Sequence, residues 1–184
     1  GGARRSGMTT LAVLGAGSWG TVLAHLNAST GRRVRLWCRS ADVAEGINTA
    51  HRNPRYFSDH DLDARIVATT SLDEAIRGAD LVLAAVPTSG IRGVLASMAP
   101  IVPKHQLVAC AAKGFELDTG KRMSQVAAEA LAGTEAHVGI LSGPNLAGEI
   151  IEEQPAACVV ASVDPVDAER IAESLQCPTF RVYT

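Results

Sequence analysis

The stretch Leu11-Ala12-Val13-Leu14-Gly15-Ala16-Gly17-Ser18-Trp19-Gly20 decides the fold. An aliphatic run that reads as a strand passes directly into G-x-G-x-x-G, and a helical pattern from Trp19 to Ser29 follows, closed by Gly31. A glycine fingerprint alone is weak, but between a strand and a helix it has a mechanism. Gly15 permits the tight turn, Gly17 lets a pyrophosphate approach the backbone, and Gly20 lets the helix pack close to the strand. The N-terminus of that helix then offers unpaired N–H groups and positive dipole to phosphates.

Outward from this unit, short aliphatic runs alternate with helical stretches. Val34–Trp37, Ile66–Thr69, Leu81–Val86, Leu107–Ala111, Val138–Leu141, Ala157–Ala161 and Phe180–Tyr183 read as strands. Ser40 reads as the cap of a helix running to Ala50. Ser71-Leu72-Asp73-Glu74 has capping-box form, and Asp164-Pro165 starts a helix to Leu175. Ile91, Val94, Leu95 and Met98 fall at i, i+3, i+4, i+7, and Met123 to Leu131 marks a further helix. His51 to Ala64 is polar and irregular, a loop carrying Asn53-Pro54. Such alternation predicts the α/β class, a doubly wound, Rossmann-like, mostly parallel sheet. Residues 1–8 read as a disordered leader or a cloning remnant, and residues 9–184 as one dinucleotide-binding domain.

Composition agrees. Hydrophobic residues make up 47% of the 184 and charged residues 20%, enough for a core and too few charges for disorder. Lys plus Arg number 17 against 19 Asp plus Glu, so no basic excess marks a nucleic-acid binder. No apolar run reaches the ~18 residues of a membrane-spanning helix, and no membrane insertion is expected. Cys38, Cys110, Cys158 and Cys177 lack C-x-x-C or Cys–His spacing and read as reduced core thiols. That implies a reducing compartment, most simply the cytoplasm. His25, His51, His60, His105 and His137 show no partner at metal or triad spacing, so no metal is expected.

Four further segments fall at carboxyl ends of strands, where open α/β sheets bind ligands. Leu36-Trp37-Cys38-Arg39-Ser40 carries no acid where an NAD enzyme usually has one, and none occurs between Gly20 and Asp42. Arg39 with Ser40 can hold a 2′-phosphate, which favours NADPH over NADH. As a solvated loop cation, or stacked on adenine, Arg39 leaves dual use open. Lys113-Gly114-Phe115-Glu116 can project an ammonium toward an anion in the crevice. Ser142-Gly143-Pro144-Asn145-Leu146-Ala147 leads into a helix. Its N–H groups and the Asn145 amide can bind an oxygen-rich substrate, or Ser142 and Asn145 can simply cap that helix. Pro87, after Ala84-Ala85-Val86, reads equally as a strand terminator.

In this order the motifs resemble the bacterial NAD(P)-dependent sn-glycerol-3-phosphate dehydrogenase family. The resemblance runs through Gly15 to Thr21, Leu36-Trp37 with Arg39, Ala85-Val86-Pro87, Lys113 to Glu116, Ser142-Gly143-Pro144, and the ending Phe180 to Thr184. It implies that Ser18, Trp19 and Ala147 contact the cofactor, that Arg39 sits at its adenosine end, and that Lys113 touches both cofactor and substrate. Gly143 and Asn145 would hold glycerol phosphate. Asn145 stands where the family often has Ser or Thr, and the loop from His51 to Ala64 departs from the family's Leu-Pro-Gly segment. The family's Gly-Gly-Ala-x-Lys-Asn motif, whose Lys is the general acid/base, is not found in residues 1–184. The resemblance therefore implies the cofactor-binding half of a longer enzyme, with the catalytic Lys beyond Thr184 and a possible homodimer through the missing helical domain. The partner would be a small phosphate substrate feeding glycerophospholipid synthesis. A non-catalytic dinucleotide-sensing module and a dehydrogenase for another hydroxy acid are the alternatives.

Overall fold

The computed structural model describes residues 9–184. The leader expected at 1–8 lies outside them. Eight strands form one sheet: β1 (Thr10–Leu14), β2 (Arg33–Trp37), β3 (Ile66–Thr69), β4 (Leu81–Ala84), β5 (Leu107–Cys110), β6 (His137–Ser142), β7 (Ala156–Ser162) and β8 (Phe180–Tyr183). Their order is β3-β2-β1-β4-β5-β6-β7-β8, with every pair parallel except β6–β7. Seven helices connect them: α1 (Ser18–Ser29), α2 (Ala41–Ala50), α3 (Leu72–Ile76), α4 (Thr88–Met98), α5 (Met123–Ala130), α6 (Ala147–Ile151) and α7 (Pro165–Leu175).

The side-chain period of two sends alternate residues of each strand to opposite faces. Leu11 and Val13 of β1 join a core with Val22, Leu23, Ile47 and Ile171, while Ala12 and Leu14 join a second core with Ile91, Leu95, Met98 and Val126. Both faces of the central strands are therefore covered, which is why β1, β4 and β5 are aliphatic without alternation. The chain leaves β1 toward β2 on one side and returns through β4 on the other. This places the topological switch point, and the crevice that goes with it, at the carboxyl ends of β1 and β4.

Helix caps follow the local sequence in part. Ser71 accepts from the Glu74 N–H (3.3 Å), and Asp164 accepts from the Val166 N–H (2.9 Å) with Pro165 in the first turn. Ser40 occupies the N-cap position of α2 but caps no backbone group; its hydroxyl turns to the Asp42 carboxylate instead. The fourth strand is two residues shorter than its aliphatic run. Ala85 and Val86 leave the ladder after the Ala85 N–H donates to Leu14 O (2.8 Å), and α4 starts at Thr88 directly behind Pro87.

The antiparallel β7 has a topological cause. A parallel return needs a crossover over the sheet face. The segment from Gly143 to Pro155 instead stays at the carboxyl edge, where α6 packs beside α1, so the chain re-enters the sheet from the end it left. Among the described residues no helix is long and apolar enough to cross a membrane. All four cysteines are buried and unbridged, as the spacing led us to expect.

Candidate functional site: a crevice at the switch point

The glycine-rich turn is built by close contact. Gly15 has φ +114°, and its N–H donates to Trp37 O (2.9 Å). Gly20, at the start of α1, lies so near the turn that a Cβ there would stand 1.8 Å from the Gly15 carbonyl oxygen. Gly17 is the opposite case: it is extended (φ −74°, ψ −177°), and nothing lies within 4 Å of where its Cβ would be. The three glycines thus divide their work. Gly15 and Gly20 permit the backbone to fold on itself, and Gly17 leaves open space at the N-terminus of α1.

That space belongs to a crevice of two joined parts. One, about 470 Å³, is bordered by Ser18, Trp19, Thr88, Lys113, Asn145 and Ala147. The other, about 190 Å³, is bordered by Gly15, Trp37, Arg39, Ser40, Val43 and Arg55. Gly17, Tyr56, Ala85, Val86 and Pro87 line both. Motifs that lie up to about 130 residues apart in the chain converge here because each follows a neighbouring strand. Pro87, open to reading as a mere strand terminator, is part of the wall.

Lys113 follows β5. Its ammonium donates to the Gly143 carbonyl and lies 5.8 Å from the centroid of the Trp19 ring. The turn that carries it is fixed from below. Gly114 has φ +120°, and Glu116 accepts both arms of the Arg92 guanidinium (2.7 and 2.7 Å) and the Thr119 hydroxyl (2.6 Å). The Arg92 fork and the Thr119 hydroxyl hold the Glu116 carboxyl at about 2, well below its ordinary range.

Gly143 does not border the crevice; it lies beside it, with a carbonyl that receives Lys113. Its glycine identity has a packing cause. A Cβ there would meet Ala157 O at 2.8 Å and Cys158 Cα at 2.9 Å, both on β7. Asn145 is not a helix cap, since Leu146 holds that position in α6. The Asn145 amide donates to Ala157 O (2.8 Å), while its Oδ1 is buried and has no partner among the described residues. Trp19 Nε1 is likewise a buried donor without a partner. A buried polar atom left unpaired costs about 1–3 kcal/mol. Two such atoms beside one crevice, an open Gly17 and a free helix N-terminus fit an extended ligand with phosphate and amide groups.

The segment least legible in the sequence turns out to be tied to the glycine loop. Asn53 is fully buried, and its amide donates to Ala16 O (3.0 Å) and Thr21 Oγ1 (2.8 Å). Its Oδ1 accepts from the N–H groups of Arg55 (3.0 Å) and Tyr56 (3.3 Å). The irregular loop is thereby clamped against the first turn of α1, with Arg55 and Tyr56 on the crevice wall. Only Asn53-Pro54, a turn signal, marked the place.

The histidines stand away from the crevice walls. His60 meets Glu152 (2.6 Å) and His137 meets Asp167 (2.5 Å). His25 Nδ1 accepts from the Asp63 N–H (3.0 Å), and burial lowers its pKa. Among the described residues no three His, Cys, Asp or Glu side chains stand together as a metal site. Burial pushes the Cys158 thiol up to about 12 against the opposing charge of Lys113, so Cys158 is no nucleophile at neutral pH.

Comparison with known proteins agrees with this geometry. Residues 10–168 match the model of the NAD-dependent glycerol-3-phosphate dehydrogenase N-terminus. The chain belongs to that family. It is 45% identical over 176 residues to a glycerol-3-phosphate dehydrogenase [NAD(P)+] of Mycobacterium tuberculosis, covering 96% of this chain and 53% of that protein. The corresponding protein of Corynebacterium aurimucosum is 43% identical over 177 residues, with the same coverage. A solved glycerol-3-phosphate dehydrogenase from Coxiella burnetii superposes with a TM-score of 0.87 at 30% identity, over 96% of this chain and 53% of that one. The chain thus spans about half the length of the relatives it matches.

Proposed function

We propose that residues 9–184 form the dinucleotide-binding domain of an NAD(P)-dependent oxidoreductase that interconverts sn-glycerol 3-phosphate and dihydroxyacetone phosphate. One observation carries this reading. The open Gly17 turn and the Lys113 ammonium border one crevice at the switch point of the sheet, and a pure phosphate-binding turn has no need of the second. The activity for which the relatives are named and the family match support the same reading.

The residues divide along the crevice. Gly15, Gly17 and Gly20 shape the turn that receives the pyrophosphate, with N–H groups of Ser18 and Trp19 at the start of α1. Arg39 attends the adenosine ribose and favours NADPH, with NADH also accepted. Ala147 walls the nicotinamide end. When bound, the dinucleotide supplies or accepts the hydride at its nicotinamide. Lys113 neutralises the phosphate substrate and orients it, steadied by the Trp19 ring and the Gly143 carbonyl. The Asn145 amide borders the substrate side, and Gly143 lies beside it with its carbonyl on the Lys113 ammonium. A positioned proton donor for the carbonyl oxygen is a Lys outside these 184 residues, on a helical domain that also mediates a homodimer. The product feeds glycerophospholipid synthesis in the cytoplasm. Among the residues that border the 470 Å³ part of the crevice, Lys113 is the one charged side chain.

Titration of the protein with NADPH and NADH, followed by oxidation of NADPH with dihydroxyacetone phosphate in the full-length enzyme, tests the reading. Binding of both cofactors with turnover of the phosphate ketone, and none with its dephosphorylated analogue, is the expected result. Binding without turnover of any phosphate ketone would leave a sensor and overturn it.

A further inference from the structure

The adenosine end of the crevice holds a second guanidinium whose partner is an exposed carboxylate. Arg55 borders the 190 Å³ part together with Arg39 and Ser40. Its Nη2 donates to Ser40 Oγ (2.8 Å) and to both Asp42 oxygens (3.1 and 3.3 Å), and Ser40 Oγ also donates to Asp42. Arg39 forms no ion pair among the described residues. Two arginines and a hydroxyl therefore face one small cavity, and a single carboxylate from the first turn of α2 occupies one of the arginines.

The backbone that carries Arg55 is not a free loop. Its N–H is bonded to the buried Asn53, which is itself bonded to the Ala16 carbonyl of the glycine turn. Arg55 is thus held at a set distance from the phosphate-binding turn although it lies beyond α2 in sequence. The Asp42 partner is more than half exposed, and such pairs contribute about 0–1 kcal/mol. A phosphate dianion carries more charge and more acceptor oxygens than a carboxylate, and binds a guanidinium fork bidentately.

We infer that Arg55 is the second binding residue for the 2′-phosphate of NADPH, and that Asp42 is an internal carboxylate which that phosphate displaces from Arg55. This rests on the dinucleotide reading above and deepens it by assigning cofactor selectivity to a residue outside the strand β2 turn. In the absence of a 2′-phosphate, the Arg55–Asp42 pair stays closed and the ribose meets Arg39 alone as a free cation among the described residues. With the phosphate present, Arg39, Arg55 and the Ser40 hydroxyl converge on it. One ion pair then serves both cofactors, and the pairing of Arg55 sets their ratio.

The experiment compares 2′,5′-ADP with 5′-ADP, and NADPH with NADH, by calorimetric titration of the full chain. Replacing Arg55 by Ala removes a charge-assisted contact. It should weaken 2′,5′-ADP about tenfold or more relative to 5′-ADP, with the NADPH-to-NADH affinity ratio falling equally. Arg55→Lys keeps the charge without the fork and should fall between. Asp42→Asn releases Arg55 and should tighten 2′,5′-ADP by about twofold to fivefold. Equal losses for both nucleotides in Arg55→Ala, or a ratio within twofold of the parent, would overturn the assignment while leaving dinucleotide binding intact. Weaker 2′,5′-ADP binding in Asp42→Asn would overturn the displacement. Failure of the parent protein to bind either NADPH or NADH would overturn the dinucleotide reading and this inference with it.

Discussion

Gly17 and Gly20 are three residues apart in one motif, yet the structure makes them opposite tests. Gly17→Val places an isopropyl group where nothing lies within 4 Å, on a backbone at φ −74° and ψ −177° that suits a β-branched residue. Losing a glycine also restricts the unfolded chain, worth about 0.4–1 kcal/mol in favour of folding. Stability should therefore change by less than about 1 kcal/mol, or under ~4 °C in Tm for a domain of this size. Binding should suffer heavily. Overpacking costs about 1–3 kcal/mol, and a lost hydrogen bond to a charged phosphate about 1.5–3 kcal/mol. Together these weaken NADPH by at least ~60-fold. Gly20→Ala reverses the pattern. Its Cβ would sit 1.8 Å from the Gly15 oxygen, so the turn and α1 must separate by more than ~1 Å. A cost of about 1–3 kcal/mol lowers Tm by roughly 2–12 °C, and binding falls because the turn is displaced. Thermal circular dichroism and cofactor fluorescence read the two quantities separately. If Gly17→Val bound NADPH within threefold of the parent protein, the phosphates would lie elsewhere. If it melted like Gly20→Ala, the open space at Gly17 would be wrong.

Five other outcomes are expected. Arg39→Asp should weaken NADPH more than NADH, since it removes a phosphate partner and adds like-charge repulsion; equal losses in calorimetry would count against Arg39 at the ribose. If, as proposed, the general acid/base lies outside these 184 residues, the chain should bind the dinucleotide without oxidising NADPH in the presence of dihydroxyacetone phosphate, since that assistance is worth about 10²–10⁴ in rate. In the full-length enzyme Lys113→Ala should lower kcat/KM for the phosphate substrate more than NADPH affinity; steady-state kinetics decide both. Asn53→Ala should cost about 1–3 kcal/mol in urea unfolding by stranding the Ala16 carbonyl and the Arg55 N–H, and should weaken 2′,5′-ADP more than 5′-ADP. His25 is held neutral by burial and by accepting the Asp63 N–H, so its folded pKa lies below the ordinary 6.5. The unfolded chain then takes up the proton first, and stability present above 6.5 falls as pH drops below it. Urea midpoints at about pH 7.5 and 5.5 should differ less in His25→Gln, which cannot titrate.

Much of this protein is legible in order along the chain because the signals are local. The run Leu11 to Gly20 holds its strand, turn and helix start within ten residues, and the aliphatic runs at 81–84 and 107–110 announce strands covered on both faces. Asp164-Pro165 and Ser71 carry their caps in their own side chains. A parallel sheet adds the rest, since each strand's carboxyl end delivers its loop to one edge. Lys113 and Asn145 could therefore be expected near Gly17 before any contact was seen.

Contacts between distant polar groups carry no local signal, and here tertiary structure decided. Asn53 reads as a surface turn, but its amide is fully buried against Ala16 and Thr21, partners 37 and 32 residues away. Arg55 reads as one more loop cation until that clamp sets it beside Arg39. Arg92 lies on a helix with no motif, yet its fork on Glu116 holds the turn that presents Lys113. Gly143 is a glycine because β7 passes within contact of it, and β7 is antiparallel because the chain before it stays at the crevice edge. Hydrophobic period and turn chemistry act between near neighbours and so are written in the sequence. A buried hydrogen bond or a close backbone approach depends on where the folded chain brings its distant parts together.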